Sequence, residues 1–375
     1  MVDRRRIVRQ WRQGAATVLV TLVHAEGSSY RRPGAHLLVG PDGEHSGTIS
    51  GGCLEAEVVR KAAWMVRGGA IVERYSTLFD DTAEMPFGLG CGGIVDLLFE
   101  PAETPECYAL LEAMEASLSG AEMRIATWLP EAGRPLARAV FASDVKLIFA
   151  SESLSAAEIA SVVVTNESSG IRPGDSHVYL DKLFPPRRLF VLGAGDDAKP
   201  LVTMAALLGW DAIVADGRPQ LARPERFPEA QRVLTTSTVA NLRITSADAV
   251  VIMTHSYQQD RALLTGLLGS SVSPGYIGLL GASHRSSLLI SEAAATLGSS
   301  VAECCERVWA PVGLDLGGDG AEAIALAIVA EVQAWMQGKL GAARRLTPEV
   351  VAEQIEKGGA SRYLQTQCAV EAAGS

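Results

Sequence analysis

The stretch Arg188-Leu189-Phe190-Val191-Leu192-Gly193-Ala194-Gly195-Asp196-Asp197-Ala198 decides the fold class. A short apolar strand runs straight into a glycine-rich turn, and Ala198–Leu208 continues with helical spacing. Gly193 permits the tight turn, Gly195 allows close backbone approach to a ligand, and Ala198 fills the small position where helix meets strand. Asp216 follows Gly195 by 21 residues, at the end of the next strand, Ala212–Asp216. That is the place of an acid that grips a ribose. The free N–H groups at the helix start suit a phosphate. Two features run against a plain dinucleotide site. Asp196 and Asp197 put negative charge where a pyrophosphate would arrive, and Arg218 is placed to hold a phosphate instead.

Outward from this turn, strand and helix alternate after Pro186, the signature of a parallel sheet covered by helices. Ala249–Thr254 carries no charge, as a strand buried on both faces should. Tyr276–Leu280 reads as another. Ala321–Gln337 reads as a helix opened by an Asp319/Glu322 capping box. His255 closes the uncharged strand, where open sheets hold ligands, although a satisfied structural histidine fits there equally well.

The first half reads as short strands and turns. Thr17–Val23 is a buried strand, Ala35–Val39 and Ser46–Ser50 form a hairpin about Pro41-Asp42-Gly43, Cys53–Val66 is helical, and Ile94–Phe99 is a strand. Asn166–Pro186, rich in Gly, Pro, Ser and Asp, reads as a domain boundary. The expectation is an α/β protein, with an N-terminal α+β domain over 1–180 and a Rossmann-like parallel-sheet domain over 187–337. A tail over 338–375 has no assigned role.

Two glycine-rich passages in the first half could carry chemistry. Gly51-Gly52-Cys53-Leu54-Glu55 sits at a strand-to-helix junction, where N–H groups and a thiol of lowered pKa can face a ligand. Cys91 lies in Gly90-Cys91-Gly92-Gly93, with equally permissive backbone. Small buried cysteines are the plainer alternative for both. Glu26-Gly27-Ser28-Ser29-Tyr30-Arg31-Arg32 offers the hydroxyl of Ser28 and the guanidinium of Arg31 to an oxyanion.

Composition narrows the class further. In 375 residues, 48% are hydrophobic and 20% charged, enough for two cored domains. Forty-three acids against 33 bases give a net charge of −10, which argues against a nucleic-acid partner. No apolar run approaches the ~18 residues of a membrane span. Six cysteines in so long a chain make neither a disulfide framework nor a zinc site, and the adjacent Cys304 and Cys305 read as structural. Arg4-Arg5-Arg6 ahead of the run Ala15–Val23 resembles a signal peptide, but the intervening Arg9–Gly14 is polar and the run suits a strand. A soluble, cytoplasmic protein is expected.

The chain to about residue 337 resembles the XdhC/CoxI family, accessory proteins of molybdenum hydroxylases. The resemblance rests on Val23–Gly34, Gly47–Glu55, Phe87–Gly93, Gly193–Ala198, Asp216–Pro219, Met253–Tyr257, Tyr276–Gly281 and Pro311–Gly317, in that order. Gly320–Ala325 departs slightly from the family pattern. The resemblance implies a chaperone that binds the molybdenum cofactor, as molybdopterin or its cytosine dinucleotide form, and delivers it to an apo-hydroxylase. In some members delivery is linked to sulfuration, so a cysteine desulfurase is an implied partner, and self-association into a homodimer is implied too. Cys53 and Cys91 would then face the molybdenum centre, and Gly193, Gly195, Asp196, Asp216, Arg218, His255, Gly51, Gly52, Glu55, Gly92, Ser28 and Arg31 would line the cofactor site. The rival is an NAD(P)-dependent oxidoreductase, favoured by Asp216 but lacking an evident acid/base set for hydride transfer.

Overall fold

The computed structural model describes residues 1–52, 54–76, 93–163, 169–172 and 174–340. Helix α1 (Val2–Arg12) leads into β1 (Val18–Glu26), β2 (His36–Val39), β3 (His45–Gly47), α2 (Glu55–Met65), β4 (Ile71–Ser76) and β5 (Ile94–Pro101). These strands form an antiparallel sheet in the order β3-β2-β1-β5-β4. The hairpin read about Pro41-Asp42-Gly43 is the β2–β3 pair. Its end requires Gly47, whose φ is +94° and whose missing Cβ would stand 2.2 Å from the His36 carbonyl oxygen.

A second antiparallel sheet follows, from α3 (Pro105–Leu118), β6 (Met123–Trp128), β7 (Ala137–Ala142), β8 (Leu147–Ala150), α4 (Ala156–Val163), β9 (Gly170–Arg172) and β10 (Asp175–Leu183). Its order is β8-β7-β6-β10-β9. The stretch 166–186, read as a boundary, therefore supplies two strands. Its Gly, Ser and Asp residues mark the turn between them, a chemistry that linkers share. Only residues 184–187 separate β10 from the next element.

The two sheets pack against each other. Leu19 and Leu38 of the first join Ile125, Val140 and Leu183 of the second, together with α1 and α3. Helix α2 covers the outer face of the first sheet and α4 that of the second. Between the sheets lies a polar seam. Arg138, 1% exposed, donates to both carboxylate oxygens of Glu100, to Thr127 Oγ1 and to the Glu106 carbonyl. Full pairing makes this burial tolerable. Further along, His36 Nε2 stands 3.8 Å from Asp181 Oδ2. Burial, more than the opposing pull of Asp181, lowers the His36 pKa to about 4.

The third sheet contains β11 (Arg188–Leu192), α5 (Ala198–Leu207), β12 (Asp211–Asp216), β13 (Arg232–Thr235), β14 (Ala249–Ile252), α6 (Tyr257–Leu268), β15 (Tyr276–Leu279), α7 (Ser283–Leu297), α8 (Val301–Cys305), β16 (Val308–Trp309) and α9 (Ala321–Met336). All pairings are parallel, in the order β13-β12-β11-β14-β15-β16. This is the doubly wound arrangement whose strand order reverses between the first and fourth strands. Side chains alternate along β11: Leu189 and Val191 pack with α5 and α9, Phe190 and Leu192 with α6 and α7. The Asp319/Glu322 cap is not formed. Gly320, at φ +87°, is the residue before α9, and no side chain caps it. A capping box opens α8 instead, from Ser300 and Glu303. No helix among the described residues is long and apolar enough to cross a membrane.

Two outcomes test this packing. Glu100→Gln should cost about 3–5 kcal/mol in urea unfolding, because it leaves a buried guanidinium without its counter-charge. His36 is neutral when folded and takes up a proton more readily when unfolded, so its contribution is present above pH 6.5 and is lost as pH falls toward 4. Comparing wild type with His36→Gln at pH 7.5 and 4.5 should show a difference of about 2–3 kcal/mol in acid sensitivity.

Candidate functional site

The glycine turn stands at the switch point of the doubly wound sheet, between the carboxyl ends of β11 and β14. Gly193 has φ +128°, and a Cβ there would lie 2.4 Å from the Met253 carbonyl oxygen, so only glycine lets the β11 turn pass the end of β14. The N–H groups of Gly195, Asp196 and Asp197, at the start of α5, have no acceptor among the described residues. They form the kind of helix entrance that binds anions.

Asp216 serves the turn. It is 1% exposed, and its carboxylate accepts from the Ala194 N–H at 2.8 Å, the Arg218 N–H at 2.9 Å, and Arg218 Nε and Nη2 at 2.9 and 2.7 Å. Burial raises its pKa, but these bonds outweigh that and hold it below the ordinary carboxylate value. With four donors, no oxygen is left to receive ribose hydroxyls. Arg218 keeps Nη1 without a protein acceptor among the described residues, and its side chain is partly exposed.

His255 lies across the switch point with φ +59°, a left-handed conformation uncommon for non-glycine residues, though His, Asn and Asp adopt it more than most. Its Nε2 stands 3.2 Å from Asp197 Oδ2, and the other Asp197 oxygen is buried against Gly195. The strained turn is held by Asp260, buried at the start of α6, which accepts from the Thr254 N–H and hydroxyl and from Arg285. Arg226 donates to the Ala194 carbonyl and to Asp196, fixing the glycine turn from the other side. Sequence reasoning missed Asp260, Arg285 and Arg226. Only Asp260 left a local signal, an acid four residues after the Ser256 cap that α6 turns inward.

The structure brings Gly193, Gly195, Asp196, Asp216, Arg218 and His255 together. The candidates of the first half gather elsewhere, at the edge of the first sheet. Glu55 accepts from the N–H groups of Ile49, Ser50, Gly51 and Gly52 and from the Ser50 hydroxyl. Burial opposes its ionisation, yet these donors lower its pKa to about 2. Glu55 thus shapes the 49–52 loop. Tyr30 lies on Gly51, whose Cβ would be 2.6 Å from the ring. Arg31 is paired with Asp3 of α1 at 2.9 Å. The loop at Ser28 packs on Gly93, the described end of the second glycine-rich passage. Cys53, Cys91 and Gly92 lie outside the described residues. Among those described, no cluster of three or more His, Cys, Asp or Glu could hold a metal ion.

The cleft between the two halves, about 670 Å3, is lined by Leu118, Phe184, Pro186, Arg188, Asp211 and Asp248. It opens at the amino ends of the parallel strands, opposite the glycine turn, and none of the candidate residues lines it.

The fold defines a Rossmann-like domain carried behind a two-sheet N-terminal half. The model of the XdhC Rossmann domain matches residues 189–332, and that of the XdhC and CoxI family matches residues 10–76. The chain belongs to the XdhC and CoxI family. It is 27% identical over 328 residues to a probable xanthine dehydrogenase subunit of Bacillus subtilis (strain 168), covering 84% of this chain and 92% of that one. The molybdenum cofactor insertion chaperone PaoD of Escherichia coli (strain K12) is 26% identical over 321 residues, 85% of this chain and 83% of PaoD. A crystal structure described as a xanthine dehydrogenase from Bacillus halodurans superposes with a TM-score of 0.75 at 26% identity, covering 94% of this chain and 99% of that one.

Asp216→Ala should remove a buried acceptor from two backbone N–H groups and Arg218. The expected cost is about 2–4 kcal/mol, read as a loss in urea midpoint. Amide exchange at Ala194 should speed up in the same variant. An acid that served only a ribose would change neither.

Proposed function

We propose that this chain is an accessory chaperone that binds the molybdenum cofactor and delivers it to a molybdenum hydroxylase of the xanthine dehydrogenase or carbon monoxide dehydrogenase type. The observation that carries this reading is the state of Asp216. The switch point keeps the phosphate-binding turn of a nucleotide fold, while the acid that would select a ribose is consumed in bracing that turn. A phosphate-tailed ligand fits such a site better than NAD(P) does. The relatives named for molybdenum-cofactor insertion and for xanthine dehydrogenase, each aligned over most of its length, point the same way.

The residues fit the phosphate end of such a cofactor. The N–H groups of Gly195, Asp196 and Asp197 would hold the phosphate, with Arg218 Nη1 as counter-charge. Gly195 leaves the backbone open to it. Asp197, paired to His255, is the group an incoming phosphate would meet first, so the pair sets what enters. The bound cofactor supplies the metal chemistry of the client enzyme, and this chain's part is to hold and shield it.

Calorimetry with purified molybdopterin should show binding to one site per chain, and NAD and NADP should bind at least tenfold more weakly. Gly195→Val should fold, since its new side chain meets the side chains of Asp197 and His255 and not backbone, and should lose at least tenfold in molybdopterin affinity. Micromolar NAD(P) binding with none for molybdopterin reverses the assignment.

A further inference from the structure

An aspartate at the residue before a helix ordinarily turns its carboxylate forward, onto an N–H of the first turn. Thr104, Ser256 and Ser300 do this with their hydroxyls at the starts of α3, α6 and α8. Asp197 holds the same position before α5 and makes no such bond. Its carboxylate turns back over Gly195 instead, where a Cβ would stand 2.3 Å from Asp197 Oδ1.

That volume is the one the second glycine of such a turn leaves for a ligand's phosphate. A side-chain anion therefore stands where the phosphate anion would stand. Its attachment is one-sided. Oδ2 faces His255 Nε2 at 3.2 Å, while Oδ1 is buried and has no hydrogen-bond partner among the described residues. Leaving a buried charged oxygen unpaired is unfavourable, and His255 adopts a left-handed backbone to reach its place. Strain of this kind clusters at ligand-binding sites. The nearby cations are engaged elsewhere, since Lys199 and Arg226 both pair with Asp196. Among the described residues, His255 is the only side chain that pairs with Asp197. The way out is open, because the Asp197 side chain is 20% exposed and the imidazole 63%.

We propose that Asp197 is a specificity-determining residue of this turn: its carboxylate, held by His255, occupies the phosphate seat and must swing out before a ligand's phosphate can enter. The inference rests on reading the switch point as the phosphate site of a larger cofactor. Two anions cannot share the seat, so every phosphate compound meets the same repulsive element. Apparent affinity falls by the fraction of molecules whose seat is open. Free phosphate and pyrophosphate have no further contacts to offset that loss and stay out. A phosphate carried on a larger ligand has them.

Calorimetry of the full chain with inorganic pyrophosphate reads the seat without the rest of a cofactor, and melting curves confirm that each variant folds. Asp197→Asn keeps the side-chain volume and an oxygen for His255, and should bind pyrophosphate at least tenfold more tightly than wild type. Asp197→Ala, which opens the seat outright, should gain at least as much. Glu225→Gln removes an exposed negative charge beside Arg226 and should change the affinity less than threefold. Equal gains from Glu225→Gln and Asp197→Asn make the effect one of net charge and overturn the proposal. So does pyrophosphate binding that is unchanged or absent in both Asp197 variants. A lowered melting temperature without a gain in affinity is the mark of a helix cap and overturns it too. Gains in both Asp197 variants with no molybdopterin binding by any form of the chain support the occupied seat and sink the cofactor reading, so the two failures are told apart.

Discussion

Three consecutive side chains on α1 tie the molecule's parts together. Asp3 accepts from Arg31 and Thr48 on the loops of the first sheet. Arg4 donates to Ser117 of α3 and to the Phe184 carbonyl just after the second sheet. Arg5 pairs with Asp211 at the start of β12 in the third. Burial lowers the Arg4 pKa against the pull of Asp181, yet a guanidinium remains charged at any physiological pH. Single surface pairs contribute little, but this helix holds partners on three separate sheets, and its apolar side, with Ile7 and Val8, is buried against α3 and both N-terminal sheets.

The same economy of buried charge governs the site. Asp216, Glu55 and Asp260 are buried carboxylates that each brace a turn: Asp216 accepts from the Ala194 N–H, Glu55 from the four N–H groups of 49–52, and Asp260 from the Thr254 N–H and hydroxyl. The donors on Glu55 and on Asp216 hold those two carboxyls below their ordinary pKa despite burial. The acids thus organise the ligand-facing backbone and leave the N–H groups themselves to face outward. This separates the loop at the switch point from a cofactor-selecting nucleotide site, although the strands and glycines are the same.

Much of this was legible in the sequence. Strand β11, the glycine turn, α5, β12, β14, β15 and α9 all stand within a residue or two of their expected places, because uncharged parallel strands and small-residue turns leave local marks. The second sheet was not legible. Strands β6 to β10 carry mixed alternations, Arg138 and Asp181 among them, whose polarity reads as exposure until Glu100 and His36 on the first sheet are seen opposite.

What the sequence alone determined is therefore the set of local geometries. Gly193 marks the tight turn that ends β11, and the apolar periods dictate which strands are buried on both faces. What only the tertiary structure decided is the work of the charges. Nothing near Asp216 in the chain says that its carboxylate turns back to Ala194, twenty-two residues earlier, or that Arg218 completes the clamp. Nothing near Glu55 forbids it a ligand until four N–H groups are counted on it. A charged side chain has its role fixed by the partner that burial brings within about 3 Å, and that partner is a property of the fold.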